Sequence, residues 1–353
     1  MIAATDQSKP FIVPVFIPHA GCPHRCIFCD QRQTTGQQES FLPAGILRKT
    51  IADFLKYRRP GPRWTEIAFF GGNFLGLPPD RIDHLLEVAI NFVRKGQVDG
   101  IRFSTRPDTV RPDSLELISR APVSTVEVGA QSMQDDVLQA TQRGHTAEET
   151  RKAVALLKAQ GYRIVLQMMV GLPKDNETKA LDSGHQLAHL APDAVRIYPT
   201  LVLKESALAR RYAQGRYTPL SLTEGVSQVK ALYALFADRH IPILRMGLQP
   251  TAELKPGAGV VAGPFHPAFG ELVHGALWMD ALRRQFLAQD LSGGHVRIAV
   301  HPRSLSRLRG QKSCNIRDLI ARFGLGSLQV CQDDTLPLNS ARVNGRMCRI
   351  AAG

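Results

Sequence analysis

Short apolar runs alternate with longer amphipathic stretches through the first 200 residues of the chain. The apolar runs have the length of β-strands, and they lie at Phe11–Ile17, Glu66–Phe70, Gly100–Ser104, Thr125–Gly129, Arg163–Met169 and Ala194–Tyr198. Between them, apolar residues recur with the 3.6-residue period of a helix, as at Ile82, Leu85 and Ala89. Six strand–helix units in this order predict an α/β fold with a parallel sheet, and their number favours a partial (β/α)6 TIM-like barrel over a complete eight-stranded one.

The chain beyond the sixth run predicts a helical extension and then a loop. Helices are expected at Ser206–Gln214 and Leu222–Arg239, followed by a short strand at Pro242–Arg245. The next segment is rich in Gly and Pro but also carries aromatic residues, which is typical of an ordered, functional loop. We therefore expect the barrel and its extension to occupy residues 1–245, and the loop with a helix to occupy residues 246–292.

A small basic unit is predicted at the end of the chain, over residues 293–353. An alternating strand at His295–His301, helices at Pro302–Arg309 and Asn315–Phe323, and a strand at Ser327–Val330 indicate an α+β arrangement. This unit carries nine Arg and one Lys against three Asp, so it supplies +7 of the formal net charge of +13. Such a segment is typical of a protein that meets a polyanion, although a solvated basic surface would have the same composition.

Composition narrows the class of protein. Hydrophobic residues make up 44% of the 353 residues and charged residues 21%, which is typical of a globular enzyme. No apolar stretch reaches 18 residues and the N-terminus lacks a signal-peptide pattern, so we expect a cytoplasmic protein without a membrane partner. In that reducing compartment clustered cysteines bind metals, and the dispersed Cys314, Cys331 and Cys348 are interpreted as structural thiols.

Three clustered cysteines follow the first apolar run. Cys22, Cys26 and Cys29 have the spacing C-x3-C-x2-C, and three thiolates within eight residues can hold three irons of a [4Fe–4S] cubane. The fourth iron would be open to a small molecule, whereas a structural zinc site uses four protein ligands. The alternatives are a zinc site completed by His19 or His24, and a set of buried free thiols.

Glycines and polar residues follow the later predicted strands. Gly71 and Gly72 come after the second strand, and glycines allow a backbone to approach a ligand closely. Hydroxyl, amide and guanidinium groups suit ribose hydroxyls and a carboxylate, and they are found at Ser104, Gln131, Arg143 and Gln167. Because ligands bind parallel sheets at the carboxyl ends of the strands, we expect these residues to surround one site.

Together these motifs resemble the radical S-adenosylmethionine (SAM) superfamily, in its Elp3-like branch. The resemblance extends from residue 11 to about residue 217 and rests on FIPHAGCPHRCIFCDQ, FFGGNFLGL, IRFSTRPD, VEVGAQSMQDDVL and AVRIYPTLVLKESALARRYAQGRY. The residue before the third cysteine of that superfamily is aromatic, as Phe28 is here, and Asn73 replaces the Glu of its GGE motif. Oxygen-independent coproporphyrinogen oxidases are similar more distantly, through the spacing of Gln131 and Arg143 and the turn at residues 171–173.

The resemblance implies a set of cofactors and roles. Cys22, Cys26 and Cys29 would ligate a [4Fe–4S] cluster, and SAM would bind the open iron and yield a 5′-deoxyadenosyl radical that abstracts hydrogen from a substrate. The remaining cofactor contacts would be Phe28 beside the cluster, Gly71, Gly72 and Asn73 at the methionine end, Arg143 at its carboxylate, and Ser104, Gln131 and Gln167 near the ribose. A flavodoxin or ferredoxin would donate the electron. Elp3 also carries an acetyltransferase domain, and we expect no acetyl-CoA chemistry from these 353 residues.

The basic unit suggests a substrate. Its order of strand, helix, loop, helix and strand resembles a KH-like RNA-binding unit, whose GxxG loop clamps a nucleotide backbone. Here that loop is Gly310-Gln311-Lys312-Ser313 and lacks the second glycine, so an ordinary basic α/β cap is the alternative. With the kinship to a tRNA-modifying enzyme, the charge favours RNA, and tRNA in particular, as the substrate, with contacts from Arg309, Gly310 and Lys312.

Two other functions fit parts of the sequence. A radical SAM enzyme acting on a small molecule, like the coproporphyrinogen oxidases, could use basic residues to bind propionates and residues 263–273 to line its site. A non-catalytic RNA-binding protein with a structural metal would explain the cysteines and the basic unit, but not the ordered SAM-like motifs.

Overall fold

A curled parallel sheet is the centre of the computed structural model, which describes residues 10–30, 42–61, 63–249, 251, 254 and 257–350. Seven strands form the sheet in the order β1 (Phe11–Phe16), β2 (Thr65–Phe70), β3 (Gly100–Thr105), β4 (Val123–Gln131), β5 (Arg163–Val170), β6 (Ala194–Pro199) and β8 (Ile243–Met246). The six predicted barrel strands are confirmed. The short run expected at Pro242–Arg245 adds a seventh strand beside β6, so the barrel is one strand wider than the sequence pattern indicated.

Helices alternate with the strands along the chain, and most of them pack an apolar side on the outer face of the sheet, whereas the short helix Ala207–Ala213 packs against residues 202–203. They are α1 (Ala44–Leu55), α2 (Pro79–Arg94), α3 (Pro112–Ile118), α4 (Asp135–Ala140), α5 (Ala147–Ala159), α6 (Glu177–His189), α7 (Ala207–Ala213) and α8 (Leu222–Asp238). In α2 the periodic residues Ile82, Leu85 and Ala89 are buried, as their spacing predicts. Thr146 caps α5 by accepting the Glu149 N–H at 3.3 Å, and the Glu149 carboxylate accepts the Thr146 N–H at 2.7 Å.

The curl of the sheet brings its two edges to one cavity. The edge strands are β1 and β8, and Phe16 and Arg245 from those strands line the same cavity. Every neighbouring pair of strands is parallel, so the carboxyl ends of the strands all lie at one rim of the half-barrel. Beside this rim a short antiparallel pair forms between β7 (Val202–Leu203) and β9 (Val260–Ala262).

A second, smaller sheet lies at the end of the chain. Its strand order is β11 (Ser327–Gln332), β10 (His295–Val300), β12 (Ser340–Val343) and β13 (Arg346–Arg349), with β10 and β11 parallel and the other pairs antiparallel. Two short helices, α10 (Leu305–Arg309) and α11 (Cys314–Phe323), connect β10 to β11. The predicted α+β character of this unit is therefore present, with an additional hairpin of β12 and β13.

One long helix joins the two sheets. Helix α9 (Phe269–Ala288) packs against α8 on the barrel side and against α10 and β13 on the other side. Its Trp278 is fully buried, and the hydrophobic core runs without a break from the barrel into the terminal unit. The boundaries after residues 245 and 292 therefore stay predictions. No helix in the described ranges is both long and apolar enough to cross a membrane.

Candidate functional site

A cavity of about 680 Å³ opens at the carboxyl ends of the barrel strands. It collects residues that are far apart in the sequence, because parallel strands present their carboxyl ends on one side. The predicted site residues that line it are Cys22, Cys26, Phe28, Cys29, Gly71, Gly72, Ser104, Gln131, Arg143 and Gln167. The structure thus places all three candidate metal ligands and nearly all candidate SAM contacts around one space.

The cysteine loop is fixed to the loop that follows β2 by backbone hydrogen bonds. The His19 N–H donates to Gly71 O at 3.0 Å, and the Asn73 N–H donates to Ala20 O at 2.8 Å. Gly72 allows this close approach, since a Cβ there would lie 2.5 Å from Ile17 O. The close packing that requires Gly72 is therefore between two protein loops, while its backbone still faces the cavity.

Asn73 is the predicted contact whose side chain is directed elsewhere. It is fully buried and does not line the cavity. Its Nδ2 donates to Gly21 O at 2.7 Å, and its Oδ1 accepts from the Thr105 and Thr109 hydroxyls at 2.8 Å and from the Arg106 N–H at 2.9 Å. The Asn73 side chain thus connects the cysteine loop to the end of β3, and the expectation that Asn73 holds the methionine end stays a prediction for its backbone.

Two buried guanidinium groups lie beside the middle cysteine. Arg143 Nη1 is 3.3 Å from Cys26 Sγ, and Arg106 Nη1 is 3.9 Å from the same sulfur. Arg143 Nη2 donates to Gly129 O at 2.7 Å, while Arg106 forms an ion pair with Asp108 at 2.9 Å and donates to the Arg143 carbonyl. This pair of cations can stabilise negative charge on sulfur. Arg106 is a site residue that was not predicted from the sequence.

The three thiols fit an iron–sulfur cluster by the chemistry of their sulfur donors. All three face one cavity, and burial raises the pKa of the Cys22 and Cys29 thiols, with Arg143 acting in the opposite direction. In the described residues, no three His, Cys, Asp or Glu side chains are already arranged as a metal site. That finding also means that the described residues contain no assembled set of zinc ligands. The His24 ring packs against Gly144, where an added Cβ would lie 2.2 Å from His24 Cδ2.

The ribose-side candidates lie on adjacent strands. Gln167 Nε2 donates to Gln131 Oε1 at 3.1 Å, where the register between β4 and β5 shifts. Gln131 has a φ of 67°, which turns its side chain toward Gln167 at the cavity wall. Phe28 lines the cavity and packs against a small apolar cluster that includes Val202 and Leu208. These positions leave amide and aromatic surface facing the same space as the cysteines.

The turn after β5 is held by a buried carboxyl. Asp175 Oδ2 accepts the Gly171 N–H at 3.1 Å, and the Tyr217 hydroxyl donates to Gly171 O at 2.6 Å. Burial raises the pKa of Asp175 to about 6, because the charged form loses water. The turn at residues 171–173 is thus fixed from both sides by side chains that approach from later in the chain.

A set of charged residues on the inner face of the barrel was not predicted from the sequence. They occupy inward positions of otherwise apolar strands and comprise Glu66, Arg102, Glu127, Arg196 and Arg245. Glu127, Arg196 and Arg245 line the cavity together with Tyr198. The signal was available, because charged side chains inside buried strands are rare unless they are paired or bind a ligand.

The predicted RNA contacts lie outside the cavity, on the terminal unit. Arg309 and Lys312 are exposed, and they flank the loop between α10 and α11. Gly310, Lys312 and Ser313 have φ values of 70°, 50° and 57°. Asn315 Nδ2 donates to Leu308 O at 3.0 Å and to Gly275 O at 2.8 Å, which fixes both helices to α9.

The chain matches two protein-family profiles and is similar in sequence to known proteins. The Radical SAM superfamily profile matches residues 16–185, and the Radical_SAM C-terminal domain profile matches residues 192–279. The chain is 26% identical over 246 residues to a tRNA uridine(34) acetyltransferase of Dehalococcoides mccartyi, covering 60% of this chain and 54% of that protein. It is 26% identical over 285 residues to Elongator complex protein 3 of Homo sapiens, covering 66% of this chain and 52% of that protein.

A solved structure shows the same fold. The archaeal Methanocaldococcus infernus Elp3 with an N-terminal deletion (1–46) aligns with a TM-score of 0.59 and 19% identity, over 80% of this chain and 64% of that chain. The chain spans about half the length of the two sequence relatives. From the two profiles, the fold and the cysteine loop, we conclude that the chain belongs to the radical SAM superfamily of enzymes and has a core similar to that of Elp3.

Proposed function

We propose that this radical SAM enzyme modifies RNA, with tRNA as the substrate. Membership of the superfamily implies SAM and an iron–sulfur cluster as cofactors. The observation that carries the proposal for the cofactor site is the meeting of Cys22, Cys26 and Cys29 in one cavity beside Arg106 and Arg143. A bound [4Fe–4S] cluster supplies the electron that splits SAM into methionine and a 5′-deoxyadenosyl radical.

The protein's own residues bind and orient under this proposal. Arg143 lies beside the Cys26 sulfur, and its remaining hydrogen-bonding capacity would bind the SAM carboxylate. Gly71, Gly72, Ser104, Gln131 and Gln167 line the cavity, where the two glycines would hold the methionine end and the other three residues would bind the ribose. Phe28 and the apolar wall around it exclude water from the reacting atoms.

Two observations support RNA as the substrate. The relatives include proteins named tRNA uridine(34) acetyltransferase, which favours a tRNA substrate for this chain. In the terminal unit, Arg309 and Lys312 are exposed at a loop between two helices. A strand precedes these helices in the chain and another follows them, and the two strands pair in parallel. That arrangement supports the KH-like interpretation, in which such a loop contacts the phosphate backbone. The flavodoxin or ferredoxin donor stays a prediction, as does the cytoplasmic location.

Reversal of charge at the loop tests the RNA proposal. We expect the double variant Arg309→Glu and Lys312→Glu to weaken tRNA binding at least tenfold and to flatten its salt dependence, because phosphate contacts release counterions. Arg94→Glu with Lys95→Glu is the matched control, since both residues are exposed at the end of α2 and the change in net charge is identical. Equal tRNA affinity of the loop variant and the control would contradict the proposal.

A further inference from the structure

A line of paired charges crosses the inner face of the barrel. Arg102 on β3 lies between Glu66 on β2 and Glu127 on β4, with N–O distances of 2.5 and 2.9 Å. Glu127 also accepts from Arg196 Nη2 on β6 at 3.0 Å. Glu66 is further bound by the hydroxyls of Ser124 and Thr125. Up to β6, therefore, two carboxylates and two guanidinium groups balance each other.

The next charged residue along the sheet has no acidic partner among the residues that the structure describes. Arg245 on β8 is in register with Arg196, and its Nε donates to Gly247 O at 3.0 Å. No ion pair joins Arg245 to an acidic side chain in the described part of the chain, and its Nη groups have no protein acceptor there. Burial lowers the pKa of Arg245, and repulsion from Arg196 adds to that effect. A half-buried, unpaired guanidinium is costly unless a ligand neutralises it.

Beside Arg245 the cavity wall combines a second guanidinium, that of Arg196, with aromatic and apolar side chains. Arg196 is held by Glu127, by the Tyr198 hydroxyl at 3.3 Å and over the Phe70 ring at 5.6 Å, so its guanidinium is already engaged. Apolar side chains of β1 and of the segment that follows β8 line the cavity, together with Gln249 and Thr251. Within the described residues, Arg245 is therefore a cation without an acidic partner, and it lies beside aromatic and aliphatic surface of the cavity.

We propose that Arg245 binds an anionic group of the substrate and thereby positions the substrate in the barrel. This inference rests on the proposed function for the identity of the anion, which is a phosphate of the target nucleotide if the substrate is RNA. A guanidinium can bind phosphate or carboxylate through two parallel hydrogen bonds, so the shared chemistry is a bidentate oxyanion. Arg245 is the last member of the row of charged residues that begins at Glu66 and crosses the inner face of the sheet.

Mononucleotide binding to the purified full-length chain tests the inference. The probes are uridine 5′-monophosphate and uridine, which lack adenine and so do not imitate the adenosyl part of SAM. We expect the monophosphate to bind about ten- to hundredfold more tightly than uridine, and Arg245→Gln to abolish that difference. Arg245→Lys should retain part of it, and Arg163→Gln, an exposed arginine at the start of β5, should retain all of it.

Two further probes distinguish the sources of the anion. If the monophosphate gives no advantage but succinate binds and Arg245→Gln abolishes its binding, the anion site is supported while the RNA proposal fails. If each anion binds with the same affinity to the wild type and to Arg245→Gln, the inference is overturned. S-adenosylhomocysteine provides the last check, because a loss of its binding in Arg245→Gln as large as the loss for the monophosphate would assign Arg245 to the cofactor and also overturn it.

Discussion

The guanidinium of Arg143 lies 3.3 Å from the Sγ of Cys26, although 117 residues separate them in the chain. The second Nη of Arg143 is held by Gly129 O, so the contact has a fixed direction. The residue assigned to the SAM carboxylate by resemblance is thus also a neighbour of a proposed cluster ligand. A single cation in that position can act on the charge of the cluster and on the cofactor together.

Removal of this cation should change the cluster's redox potential. We expect Arg143→Met to lower the midpoint potential by tens of millivolts, since a nearby positive charge stabilises the reduced, more negative cluster. A redox titration followed by electron paramagnetic resonance measures this. Arg163→Met is the control, because Arg163 is exposed at the amino-terminal end of β5, whereas the cavity lies at the carboxyl ends of the strands. Equal potentials in the two variants would mean that Arg143 does not act on the cluster.

Asn73 should be important for stability. Asn73→Asp keeps the oxygen that accepts three hydrogen bonds but replaces the donor to Gly21 O with a second oxygen. We expect a loss of about 1–3 kcal/mol in the free energy of unfolding, because a buried acceptor is left without its donor. Urea denaturation measures it, and Asn91→Asp on the exposed side of α2 is the control. A loss no larger than the control's would refute the structural role of the amide.

His145 should make the protein less stable in mild acid. Its ring is buried, Nε2 lies 3.2 Å from Ala130 O, and burial together with Arg143 and Arg106 lowers its pKa to about 2. Below the unfolded value of about 6.5, the unfolded chain binds a proton that the folded chain does not, so stability falls by about 1.4 kcal/mol per pH unit. Above about pH 6.5 this contribution is constant.

The pH slope of His145→Asn tests that assignment. Urea unfolding between about pH 7 and pH 5.5 should show a shallower decline in the variant than in the wild type, by about one proton per molecule. His240→Asn, at an exposed position, is the control for loss of a histidine. A slope in His145→Asn equal to that of the wild type would mean that the buried ring takes up its proton in the folded state.

Asp175 should have the opposite dependence on pH. Its pKa is about 6 in the fold and about 3.8 in the unfolded chain, so the fold loses stability as pH rises through that interval. Asp175→Asn keeps an acceptor for the Gly171 N–H and removes the buried charge. We expect the variant to gain stability relative to the wild type between about pH 4 and pH 6, to a limit of about 2–3 kcal/mol.

The control for this substitution is an exposed aspartate with the same backbone contact. Asp193 Oδ2 accepts the Ile164 N–H at 2.7 Å, so Asp193→Asn separates the effect of burial from that of the amide. Thermal unfolding across the same pH interval provides the comparison. If the stability of Asp175→Asn relative to the wild type does not change with pH, the buried carboxyl does not take up a proton on folding.

Much of the barrel could be predicted from sequence because its strands are buried on both faces. Strands of that kind read as continuous apolar runs, and the run at Arg163–Met169 differs from β5 by one residue. The cysteine loop could be placed at the ligand-binding rim for the same reason, since it follows the first of these strands. The pairs β7–β9 and β12–β13 were not predicted, because such short strands owe their formation to contacts between distant segments.

The site was harder to predict wherever the direction of a side chain decided its role. Asn73 follows the same glycines in the sequence whether its amide faces the cavity or the loops, and only the position of Gly21 and Thr105 settles it. Arg245 stood in a run too short to identify as a barrel strand, so its inward position could not be recognised. Glu66 and Arg102 could have been recognised together, as opposite charges inside consecutive apolar runs.

The most direct test of the account is the formation of 5′-deoxyadenosine by anaerobically reconstituted protein. SAM, a strong reductant and bulk tRNA would be supplied, so that a requirement for substrate does not hide the reaction. We expect the wild type to release 5′-deoxyadenosine and Cys26→Ala to release none, while Cys331→Ala, which lies in the terminal unit, behaves as the wild type. A wild-type protein that contains iron and sulfide, binds SAM and still forms no 5′-deoxyadenosine with tRNA would contradict the account.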